Sequence, residues 1–79
     1  MDNQNLEAVK ARADKDLEEV ERLLNDLDYT FADGTAEAWY KQLKDHAKRC
    51  HEHSLEFLAR RLESVSDRVQ QRAKEFGEW

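Results

Sequence analysis

The chain has 79 residues, 39% of them charged and 39% apolar, with no proline, two glycines and a net charge of −5. One small domain with a thin core is the most this length supports, and the composition is that of a helical bundle or coiled coil and not of a β domain. An acidic chain argues against direct nucleic-acid binding, which draws its affinity from neutralising phosphates. No apolar run approaches the roughly 20 residues of a membrane span, and a polar stretch follows Met1 where a secretory signal would be apolar. The expectation is a cytoplasmic protein of the producing or host cell, in one domain spanning residues 1–79.

The first predicted helix covers residues 4–28, about 37 Å at 1.5 Å per residue. Leu6, Val9, Ala13, Leu17, Val20, Leu24 and Leu27 recur at alternating spacings of three and four, which places them on one stripe. Asp14, Glu18, Glu19 and Glu21 lie outside it. Residues 1–34 carry ten acids and four bases, so this half is the acidic one.

An aromatic turn follows over residues 29–35, with Tyr29 and Phe31. Asp33 and Thr35 are both competent caps for the next helix, and Gly34 permits a positive φ if the turn needs one. An EF-hand register starting at Asp26 fails, because the position that needs glycine holds Phe31.

Residues 36–76 contain neither glycine nor proline, and their apolar residues keep helical spacing. The spacing predicts one long second helix of about 60 Å, capped by Gly77 and followed by a short tail over 77–79. The first helix covers little more than half of it. Leu58, Leu62, Val65, Val69 and Phe76 are then left uncovered, and an antiparallel homodimer of two such hairpins is the simplest way to bury them. The fold class is therefore all-α, a helical hairpin completed as an antiparallel homodimeric bundle. The alternative is a compact three-helix bundle with a break near Ser54, where the stripe weakens. The segment His51–Ser54 lacks the usual breaking residues, which favours the continuous helix.

His46, Cys50 and His53 are spaced i, i+4, i+7 and present three metal-ligating groups on one helix face. The set lacks a fourth ligand, so the main reading is structural, with no metal or cofactor. Metal binding by these three and a pH-sensitive seam are the alternatives. Catalysis by Cys50 is disfavoured, because mid-helix N–H groups are already bonded and no oxyanion hole is at hand. No enzymatic activity is expected.

The functional expectation is a protein–protein interaction module that binds or occludes another macromolecule. Asp14, Glu18, Glu19 and Glu21 would meet a basic surface, and Tyr29, Phe31 and Trp79 would supply aromatic contacts. A small phage or mobile-element inhibitor of a nucleic-acid enzyme is the specific form of that reading. A structural subunit of a larger assembly is a further alternative.

Overall fold

The computed structural model describes residues 2–79, with side chains from Leu6 onward. Among these residues the regular elements are all helical: α1 (Asp2–Asn25), α2 (Thr35–Glu52) and α3 (Glu56–Glu75). They run up, down and up, so α1 and α3 are parallel and α2 is antiparallel to both. The bundle measures 43 × 19 × 17 Å. Its radius of gyration of 13.1 Å exceeds the about 11.6 Å of a compact domain this long, so the molecule is a short rod.

The stripe of α1 packs as its spacing predicts. Ala13, Leu17, Val20 and Leu24 are buried, with Val9 and Leu23 packed at the margin. The helix ends at Asn25, three residues short of the predicted end. The Asp26 amide donates to the Leu23 carbonyl at 3.2 Å and the Tyr29 amide to the Asp26 carbonyl at 3.1 Å. The chain thus turns away before Leu27, which leaves the stripe and points into solvent.

The loop then re-enters the core through Phe31, which is 2% exposed and meets Tyr29 edge-on with ring centroids 5.1 Å apart. Gly34 is left-handed at φ 79° and occupies the cap position of α2. Neither Asp33 nor Thr35 caps through its side chain. Glycine alone enters this backbone region without steric cost, so the turn uses Gly34 and leaves the two polar candidates idle.

The long second helix does not form. α2 stops at Glu52 and α3 begins at Glu56. His53 is the C-cap and Ser54 adopts φ 62°. The Ser54 amide donates to the His51 carbonyl at 3.1 Å, and the Leu55 amide to the Cys50 carbonyl at 2.7 Å. This pair of bonds is a Schellman motif with serine where glycine is usual. The same motif ends α3, where the Gly77 amide donates to the Lys74 carbonyl and the Glu78 amide to the Ala73 carbonyl. Ser54 does not cap α3 either, because that place belongs to Leu55.

Energetics explain why the chain breaks without a glycine. A non-glycine residue in the left-handed region costs about 1–2 kcal/mol. The break folds Leu58, Leu62, Val65 and Val69 back into the core, where all four are buried. At about 1.5–3 kcal/mol for each large side chain, burial outweighs the strain several-fold. The face expected to need a second copy is therefore covered by α1 and α2 of the same chain. Phe76 is the exception: it is the C-cap of α3 and 46% exposed.

Helices α2 and α3 make the most extensive contact of the three pairs. Ala59, Ser66 and Ala73 are spaced by seven along α3 and fully buried, and side chains this small let two helix axes approach. The Ser66 hydroxyl donates to the Glu63 carbonyl at 2.7 Å, so the buried oxygen is satisfied within its own helix. Trp79 folds back onto α2, with its ring 5.1 Å from that of Tyr40. Among the described residues no helix is long and apolar enough to cross a membrane.

Candidate docking site

Arg72 of α3 organises the end of the rod where α1 finishes. Its Nη2 donates to the Leu24 carbonyl at 2.6 Å. Its Nη1 donates to the carbonyls of Asp26 at 3.0 Å and Tyr29 at 3.2 Å. The last carbonyls of a helix lack partners within it, and a cation beside them also favours the helix dipole. One guanidinium thus caps α1 and fixes the loop that follows. The Asp28 amide donates to Asp26 Oδ1 at 3.0 Å, which tightens the same turn.

Leu27 sits at the crest of this held loop with 81% of its surface exposed, between the exposed Asp26 and Asp28. A leucine presented this way by a braced backbone is a preformed apolar knob with an acidic rim. Sequence reasoning placed Leu27 on the buried stripe. The overlooked signal was the Asp-Leu-Asp triplet, since aspartate readily closes a turn through its own side chain.

The residues expected to bind a partner are spread over different environments. Asp14 and Glu18 are exposed on α1. Glu19 is half-buried, and it shares a shallow surface with Glu18, Lys15 and Arg22, so this part of the face is mixed in charge. Glu21 accepts from Arg61 Nη2 at 3.0 Å and is already paired. Phe31 belongs to the core and is not a contact residue. Tyr29 is half-buried against it, and Trp79 is half-covered by Tyr40.

His46, Cys50 and His53 are not brought together as ligands. His46 Nδ1 lies 2.8 Å from Asp16 Oδ2, but off the direction of a hydrogen bond. Gln42 Nε2 supplies the aligned donor to that oxygen at 3.0 Å. Cys50 is buried in the core. Burial, and then the negative charge of Asp14, push its thiol pKa up, away from the thiolate that metals bind. His53 is exposed at the C-cap of α2, where it shares a cleft with His46 but not with the buried Cys50. Among the described residues no three His, Cys, Asp or Glu groups converge in a way that could hold a metal.

The histidine that does organise charge is His51. Its Nδ1 faces Glu56 at 2.7 Å and its Nε2 faces Glu63 at 2.9 Å, so it bridges α2 to α3 beside the break. Two carboxylates on both ring nitrogens require two N–H donors, the protonated form. The hydrogen bonds to Glu63 and then Glu56 accordingly raise its pKa above the ordinary histidine value. No protein family, curated protein or solved structure matches this chain.

Proposed function

We propose that the protein is a non-enzymatic binding module that docks through the Leu27 loop onto another protein. The observation that carries this reading is the 81% exposure of Leu27 in a loop held by three hydrogen bonds from Arg72. A loop fixed before binding loses less conformational freedom on docking, and a leucine entering an apolar pocket contributes about 1.5–3 kcal/mol. Asp26 and Asp28 favour a pocket with basic groups at its edge, and Asp14 and Glu18 extend the acidic field along α1. A nucleic-acid enzyme carries such a basic surface where its substrate lies, and an acidic rod lodged there would act by occlusion. An inhibitor of that kind, of phage or mobile-element type, is the specific reading.

Comparative capture tests the docking site. The intact protein and a Leu27→Ser variant serve as baits, with Phe57→Ser as the control for an exposed apolar residue at the opposite end. The expected result is a protein retained by the intact chain and by Phe57→Ser and lost with Leu27→Ser. Equal retention by all three would remove Leu27 from the interface.

A further inference from the structure

We infer that a cleft at the other end of the rod, between the first half of α1 and the last half of α2, binds a phosphate monoester group. Ala8, Val9 and Arg12 line it from α1, and His46, Arg49 and His53 from α2, around about 280 Å³. Two guanidiniums facing one cleft, with two imidazoles beside them as further hydrogen-bonding groups, is a local concentration of positive charge in a chain whose net charge is −5. Lys41, Lys44, His46, His51 and Arg61 each have a carboxylate partner. Arg12 and Arg49, like several other cations, have none among the described residues, and they are the two that line this cleft. Like charges turned toward one space repel, and an anion placed between them makes each interaction attractive.

The orientation of His46 adds a second feature. Its side chain is 13% exposed, and Asp16, itself 10% exposed, packs 2.8 Å from the ring edge that carries Nδ1. Gln42 fixes that carboxylate in turn. The opposite edge, with Nε2, is therefore the one left to the cleft that His46 lines. A largely buried histidine packed against a buried carboxylate has a restricted orientation, in contrast to a free surface side chain.

The donor set selects the class of anion. One guanidinium fork already satisfies the two oxygens of a planar carboxylate. Donors arriving from two helices suit a tetrahedral group with three terminal oxygens. Ala8 and Val9 give the cleft an apolar wall for the organic part of an ester. The volume is just under the about 300 Å³ at which small-molecule pockets begin, so the site takes a phosphate with a small group attached. Asp45 and Glu52 flank Arg49 on α2 and interrupt any basic track, which favours a single phosphate over a polyanion.

The test is an amide NMR titration of the whole protein with inorganic phosphate, O-phosphoserine and adenosine monophosphate in separate arms. The expected result is saturable shifts around Ala8, Arg12, Arg49 and His53, with at least one monoester binding more tightly than inorganic phosphate. Arg12→Gln and Arg49→Gln should each weaken binding about tenfold or more, the scale of a lost charge-assisted hydrogen bond. Both positions are exposed, so the fold should survive, and the α-helical circular dichroism checks it. Arg60→Gln, at an exposed position on α3, should leave affinity unchanged. Absence of saturable shifts in all three arms would overturn the site, as would equal weakening by Arg60→Gln. Equal affinity for all three compounds would overturn the monoester assignment in favour of free phosphate.

Discussion

The amide of Leu55 reaches back to the carbonyl of Cys50 at 2.7 Å and closes α2 one residue after Ser54 has turned left-handed. This bond marks the point where the architecture is decided. With it the chain is a three-helix rod, and without it α2 and α3 would merge into one helix with an uncovered face. The serine carries the conformational cost. Ser54→Gly should therefore stabilise the protein by about 1 kcal/mol, because glycine enters this region freely. Ser54→Val should destabilise it by more than that, since a β-branched residue at positive φ is strained. Chemical denaturation of the two variants measures both.

Single-chain burial of the α3 stripe predicts a monomer. Sedimentation should give a mass near 9.4 kDa that does not change with concentration. Leu62→Ala should cost about 2–5 kcal/mol as a core truncation, with no accompanying change in oligomeric state. A dimer that dissociates with Leu62→Ala would restore the paired-hairpin arrangement.

Much of the fold was legible because local patterning and tertiary packing agree. The stripe from Ala13 to Leu24 is buried as its spacing requires, Gly34 takes the positive φ it was read as permitting, Gly77 follows the end of α3 as the expected cap, and the all-helical class agrees with the composition. The break at Ser54 was hidden because no local residue demands it. It forms because Leu58, Leu62, Val65 and Val69 gain more by folding back than Ser54 loses, and that balance involves α1, far away in sequence. The alternative reading with a break near Ser54 had the right place, though Ser54 acts at the end of α2 and not at the start of α3. Leu27 was misplaced for a related reason: the braced turn depends on Arg72, 45 positions later in the sequence. Glu21 was counted among the partner-facing acids because its actual partner, Arg61, is also supplied by the tertiary fold.

Arg72 links α3 to the end of α1 through three carbonyls, so Arg72→Ala should do more than remove a surface charge. It removes the Arg72 donor from the Leu24 and Tyr29 oxygens and leaves the Asp26 oxygen with the Tyr29 amide alone. Hydrogen bonds to a charged group are worth about 1.5–3 kcal/mol, and loss of stability on that scale is expected. Arg72→Lys should rescue only part, because an ammonium lacks the planar fork that spans two or three acceptors. Hydrogen exchange of the Tyr29 amide gives a local readout, and it should quicken in Arg72→Ala while amides in the middle of α2 change less.

The thiol of Cys50 should be inert in the folded protein. It is buried, and its raised pKa keeps it protonated at neutral pH, whereas the thiolate is the reactive form. Alkylation by iodoacetamide should therefore follow unfolding, being slow in native buffer and fast in denaturant. Rapid native labelling would mean that the core around Cys50 opens frequently.

His51 makes the α2–α3 corner sensitive to pH. Its pKa is raised in the folded state by Glu63 first and Glu56 second. A group whose folded pKa exceeds its unfolded value contributes stability that is fully present below the unfolded value, about 6.5 for histidine. That contribution is lost as pH rises through the raised folded value, when one ring nitrogen surrenders the proton it shares with a carboxylate. His51→Gln should therefore destabilise the protein more at about pH 6 than at about pH 9, where the native imidazole is already neutral. An NMR titration of the imidazole should place the His51 midpoint above the ordinary histidine value. Glu63→Gln should lower that midpoint more than Glu56→Gln. An unshifted midpoint in the intact protein would mean that the two carboxylates do not hold the ring in solution.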